Sequence, residues 1–117
     1  LMVSITNYKD GKFDGVQEFY RGNKAYGNKV FNRQRYVDGK LEGIQEIFSE
    51  KGLLEVRANY KNDALEGLTE EFDENGILLG TSYYHNDELD GPYTQYDING
   101  NVEKVKMFKN GHYVRKN

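Results

Sequence analysis

Tyr60-Lys61-Asn62-Asp63-Ala64-Leu65-Glu66-Gly67 is an octad that the chain uses more than once. Tyr8-Lys9-Asp10-Gly11-Lys12-Phe13-Asp14-Gly15, Tyr36-Val37-Asp38-Gly39-Lys40-Leu41-Glu42-Gly43 and Tyr84-His85-Asn86-Asp87-Glu88-Leu89-Asp90-Gly91 repeat it. Phe108-Lys109-Asn110-Gly111-His112-Tyr113 begins a fifth copy, and Tyr36, Tyr60, Tyr84 and Phe108 follow one another at 24 residues. A fixed period of that length is the mark of a repeat architecture. We read residues 1–117 as one repeat domain, with units beginning at 8, 36, 60 and 84 and a partial unit at 108.

Turn chemistry divides each unit. Asp10-Gly11, Asp38-Gly39 and Asn110-Gly111 suit two-residue hairpin turns, whose two central residues both need positive φ. Asn62-Asp63 and Asn86-Asp87 are weaker versions, because Asp is more strained than Gly in a left-handed conformation. A second turn follows at Ser49-Glu50-Lys51-Gly52, Asp73-Glu74-Asn75-Gly76 and Asp97-Ile98-Asn99-Gly100. Short alternations such as Leu54, Val56, Ala58 and Tyr60 lie between turns and read as strands. A glycine every eight or nine residues excludes a continuous amphipathic helix, while a single helical turn near 45–49 or 69–73 stays open. The expected fold is all-β: antiparallel hairpins forming an extended, twisted single-sheet meander, with neighbouring units covering one another's apolar residues. The octad's last Gly (Gly15, Gly43, Gly67, Gly91) admits two explanations, a left-handed backbone or a neighbouring ring over a bare Cα, and ring packing is the expected one. The first unit is four residues longer, between Tyr20 and Val30, and an enlarged loop is expected there in preference to a basic recognition loop with Tyr26 at its tip.

Composition supports a thin layer. The hydrophobic fraction is 37%, with 10 Tyr and 6 Phe, and the mean hydropathy is −0.88. Tyrosine supplies a large ring whose hydroxyl stays wet. There is no cysteine, so disulfides and thiolate metal sites are excluded. No run approaches the ~20 apolar residues of a membrane-spanning helix, and no signal peptide is visible. Because the chain begins Leu1-Met2, a fragment or a processed product is expected, and cytoplasmic and exported locations both remain open.

The octad and its period resemble the MORN repeat, in a bacterial variant form, over Tyr8 to Tyr113. The resemblance implies successive β-hairpins that act as scaffolds, dimerisation modules or partner-binding arms, at times near membranes. Bacterial members are often labelled antitoxin-like, or lipid kinases through a fused relative. Here Asp14, Glu42, Glu66 and Asp90 replace the His that commonly precedes the last Gly, and an acidic row repels anionic head groups. A kinase label has no phosphate loop or catalytic-loop motif to support it.

No catalytic constellation emerges. His85 and His112 read as solvated residues beside turns, and no metalloprotease, P-loop or EF-hand motif occurs. Glu18, Glu46 and Glu70 form one column and Glu42, Glu66 and Asp90 another. Column members two strands apart lie about 10 Å from one another, too far to share a cation held at ~2.0–2.6 Å. No cofactor is expected. The orientation of the Glu18 column is undecided between a water-open face and a bulge that turns it outward.

The net charge of −3 conceals three zones. Residues 20–35 carry Arg21, Lys24, Lys29, Arg33 and Arg35 without an acid, residues 62–103 carry eleven acids without Lys or Arg, and residues 104–117 are basic again. An acidic surface at Glu66, Glu70, Glu71, Asp87 and Asp90 is the expected contact for a basic protein partner; plain solvation is the alternative reading. The second reading is a peripheral membrane module using Arg21, Lys24, Lys29, Arg33 and Arg35, or the basic end at 104–116, on anionic phospholipid. The third is a sheet binding glycans or small molecules through its Tyr columns. Nucleic acid is disfavoured by the acidic balance. Opposite charges and open sheet edges allow self-association. Once turns and packing are assigned, the octad's acidic seventh position (Asp14, Glu42, Glu66, Asp90) is what is left for function.

Overall fold

A computed structural model describes residues 2–5, 7–22, 27 and 29–115, with the backbone alone for 2–5 and 21. The expected sheet is present. Antiparallel neighbours run in the order Met2–Ile5, Gly15–Arg21, Lys29–Val37, Gly43–Phe48, Leu54–Lys61, Gly67–Phe72, Leu78–His85, Gly91–Tyr96, Val102–Lys109 and His112–Val114. No crossover interrupts that order, so the chain is a meander of two long strands per unit. Residues 45–48 and 69–72 are strand, and no described residue is helical.

Each octad makes a short hairpin at one end of the long strands. Tyr36 pairs with Leu41 and Val37 with Lys40, and Tyr60 and Tyr84 pair with Leu65 and Leu89 in the same way. Both central turn residues have positive φ in every copy, from Asp38 (51°) and Gly39 (81°) to Asn62 (50°) and Asp63 (69°). At the other end, Asp73 and Asp97 accept two backbone N–H groups each through Oδ1, at 2.8–3.0 Å. Such Asx turns fix the loop that joins the long strands. The first unit's longer connection, expected as an enlarged loop, joins Gly15–Arg21 to Lys29–Val37 at this end; residues 23–26 and 28, Lys24 and Tyr26 among them, fall outside the described residues.

The octad's last Gly is explained by its backbone. Gly15, Gly43, Gly67 and Gly91 have φ of 86°, 93°, 93° and 117°. A Cβ added at Gly43 or Gly67 would meet side-chain carbons only at 3.6 and 4.0 Å, which is ordinary contact. The expectation of ring packing over a bare Cα is therefore corrected: no ring crowds these positions, although Tyr83 comes to 3.4 Å of the Cβ that Gly91 lacks. The left-handed residue turns the chain out of the short hairpin and into the next long strand.

The slab is thin. Its extents are 51 × 38 × 16 Å and its radius of gyration is 16.5 Å, against about 13 Å for a compact chain of this length. Its accessible surface of 7963 Å² exceeds the roughly 6,600 Å² expected for a globule of this mass. Ala58 is the one apolar residue among those described that is more than nine-tenths buried, and Gln17, Thr69 and Ser82 share that depth. Some of the aromatic residues stack along the sheet, as in the Tyr8–Phe13–Tyr36 series with centroids 5.0 and 5.2 Å apart.

Substituting Gly67→Ala should destabilise the fold by about 1–2 kcal/mol through left-handed strain. Gly67→Asn should cost less, because Asn tolerates this region better. Urea unfolding checks the order; equal stability of native and Ala proteins would contradict the backbone account.

Candidate functional site

The acidic columns were the sequence's main candidates, and the structure gives most of them partners within the array. The seventh-position carboxylates bond to the turn of the following unit. Asn62 N–H donates to Glu42 Oε2 at 2.8 Å, Asn86 N–H to Glu66 Oε1 at 3.3 Å and Asn110 N–H to Asp90 Oδ1 at 3.3 Å. Asp38 N–H stands 3.5 Å from Asp14 Oδ1. This position therefore has an architectural role in joining successive units.

The turn residues bond backwards as well. Asp63 N–H donates to the Leu41 carbonyl and Asp87 N–H to that of Leu65, both at 3.0 Å. In return Leu41 N–H donates to Asp63 Oδ1 and Leu65 N–H to Asp87 Oδ1, both at 2.7 Å. A left-handed Asp in these turns thus brings a charge-assisted bond that Gly lacks. Gly39 and Gly111 make only the backbone part, to Phe13 and Leu89 at 2.8 Å.

The Glu18 column faces open water between apolar columns, and arginines fill its gaps. Glu18 pairs with Arg33, Arg33 with Glu46, Glu46 with Arg57 and Arg57 with Glu70 across successive strands. Arg33 Nε lies 3.0 Å from Glu18 Oε2 and its Nη1 3.1 Å from Glu46 Oε1. Arg57 Nη1 lies 3.2 Å from Glu70 Oε1, and its Nε 3.9 Å from Glu46 Oε2. The Glu18 hydrogen bond, followed by that of Glu46, raises the Arg33 pKa above its usual value against the opposing effect of burial. Arg33 also sits 5.5 Å from the Phe48 ring centroid. Register shifts occur after the Glu positions, between Phe19 and Tyr20, Ile47 and Phe48, and Glu71 and Phe72. No bulge turns the Glu side chains away.

The five acids expected to form one contact therefore divide. Glu70 belongs to the ladder, Glu66, Asp87 and Asp90 to the hairpin junctions, and Glu71 is exposed with no hydrogen bond or ion pair among the described residues. Of the basic candidates, Arg33 is held by the ladder, whereas Lys29 and Arg35 are exposed. The side chain of Arg21 and all of Lys24 and Lys116 lie outside the described residues. The ladder was readable in principle: Arg33 and Arg57 are 24 residues apart, and hairpin pairing places each between two members of the Glu column. No group of three or more His, Asp or Glu among the described residues could hold a metal ion. Among them no helix is long and apolar enough to cross a membrane.

His85 has a partner that the sequence did not reveal. Its Nδ1 lies 3.0 Å from Glu66 Oε2. That hydrogen bond raises the imidazole above its ordinary 6.5 and, with the Asn86 N–H, lowers the carboxyl below its ordinary 4.5.

The geometry defines a class: a single-sheet array of hairpins, joined along one end by reciprocal turn bonds and across one face by an ion-pair ladder. The sequence profile of the MORN repeat variant matches residues 41–62, 65–86 and 89–110. The chain belongs to that family. A comparison with curated proteins found no match.

Asp87→Ala should destabilise by about 1 kcal/mol or more, through loss of the Leu65 bond and left-handed strain. Asp87→Gly loses the bond without the strain, so denaturant unfolding should place it between native and Ala. For the His85–Glu66 pair, a raised histidine value means that its stabilisation is complete below pH 6.5 and fades as pH rises through that raised value. The lowered carboxyl value means a contribution complete above pH 4.5 and lost as pH falls through that lowered value. NMR titration should put the His85 midpoint above 6.5, and Glu66→Gln should move it back down.

Proposed function

We propose that this protein is a non-catalytic interaction module whose third and fourth repeats receive a basic protein partner. One observation carries the reading. Of the eleven acids in residues 62–103, those not engaged in junctions, ladder or turns are Glu71, Glu74, Glu88 and Glu103. All four are exposed. They stand in a stretch of sequence with no Lys or Arg and make no ion pair among the described residues, although Lys51 lies beside Glu74 and Lys104 follows Glu103. A net negative field of this kind steers a cationic partner and sets a salt-dependent on-rate. Glu71 and Glu103 share a groove of about 350 Å³ with Tyr93 and Tyr96. Aromatic faces beside carboxylates suit an arginine or lysine side chain. The antitoxin-like role implied by the resemblance would be one form of this function, with a basic toxin as the partner.

The reading moves the contact away from Glu66, Glu70 and Asp90, whose reversal would loosen the array itself. Reversing Glu71, Glu88 and Glu103 to Lys together should weaken binding of an arginine-rich peptide probe by about tenfold or more at low salt, with the thermal transition little changed. Fluorescence anisotropy measures it. Unchanged affinity, or affinity independent of salt in the native protein, would refute the acidic contact.

A further inference from the structure

The face that carries the ion-pair ladder also carries a groove of about 550 Å³. Val16 and Ile44 contribute apolar surface to its lining and are 43% and 50% exposed, large values for aliphatic side chains. Its charged lining is Arg33, Arg35, Arg57 and Glu46. Arg33 and Arg57 are occupied by the ladder, each between two glutamates. Arg35 is different. It is exposed, pairs in register with Val16, and makes no ion pair with any described residue. Its stem passes the bare Cα of Gly43, where an added Cβ would lie 3.6 Å from Arg35 Cδ. The left-handed glycine thus leaves room for the arginine to lie beside Ile44.

We propose that this groove binds an aliphatic carboxylate, the chain lying over Val16 and Ile44 and the carboxylate bonded by the Arg35 guanidinium. The chemistry is complementary at both ends. Uncovered aliphatic surface gains from contact with an alkyl group, and a planar guanidinium matches a carboxylate in a bidentate fork. A groove of this volume falls within the range of small-ligand sites. The glutamates of the ladder do not compete for Arg35, because Arg33 and Arg57 hold them.

The test is a methyl and amide NMR titration of the full chain with decanoate below its micelle concentration. Decyltrimethylammonium and decanol serve as controls, and acetyl-Ala-Leu-Leu as free acid and as amide is the peptide arm. Saturable shifts at Val16 and Ile44 with decanoate assign a free alkyl acid. Shifts with the peptide acid and not its amide, decanoate being inert, assign a peptide carboxylate; both results support the site. Arg35→Gln should weaken the binding by about tenfold, and Ile44→Thr should flatten the gain from octanoate to decanoate. Retention of the native amide spectrum in both variants shows that the sheet is intact. Equal binding of the trimethylammonium probe, undiminished binding by Arg35→Gln, or no shift at the groove with either acid would overturn the proposal.

Discussion

The bonds between one unit's turn and the preceding unit's short hairpin are the constraint on which the array depends. A slab with Ala58 as its one deeply buried apolar residue among those described cannot rely on a dry core. Directional bonds set its order. At the Leu41–Asp63 junction, a backbone N–H and carbonyl pair is doubled by a carboxylate on the Leu41 N–H, and Glu42 adds another bond to Asn62. These contacts require each turn to arrive at a fixed offset from the last. That requirement gives the 24-residue period its rigidity from the second unit onward. The first unit's four extra residues fall between strands that pair at the opposite end, Arg21 with Lys29, away from the junction.

The ladder face adds lateral matching. Single ion pairs this exposed contribute little, on the order of 0–1 kcal/mol. Alternation of Glu and Arg across neighbouring strands nevertheless gives Arg33 and Arg57 two partners each, and a strand displaced by one residue would turn these side chains to the wrong face. Beyond Glu70 the column continues as Thr81, Thr94 and Val105. The Glu–Arg pairing ends there, with Arg57 and Glu70 its last members.

Much of the fold was legible because its causes are local. Repeated Asx-Gly turns, alternating strands and the period determine a hairpin meander before any long-range contact is considered. The reason for the last Gly was misread because a bare Cα and a positive φ leave the same letter in the sequence; only the backbone angle distinguishes them. The architectural bonds of the seventh-position acids were hidden for a different reason. Their partners are backbone N–H groups some 20 residues onward, and a backbone donor has no sequence signature. Asp63 and Asp87 looked like poor turn residues for the same reason, since the bonds that offset their strain go to Leu41 and Leu65. His85 seemed a solvated bystander because its partner Glu66 belongs to the preceding octad.

Assigning these residues to architecture shows where function has freedom. Each long hairpin has one bulged residue that the strand register passes over: Phe31, Glu55, Leu79 and Glu103. Aromatic, acidic and aliphatic side chains all occupy this column, whereas turn, Gly and seventh-position residues keep their chemistry from unit to unit. A bulge places its residue beside the ladder register, and Phe31 packs there against Phe19 of the neighbouring strand, with ring centroids 6.5 Å apart. Glu55, Leu79 and Glu103 are exposed. Glu103 and Leu79 border the groove that also holds Glu71. The array thus separates positions that hold repeats together from positions that differ between repeats, and the second set can vary while the first keeps the sheet in register.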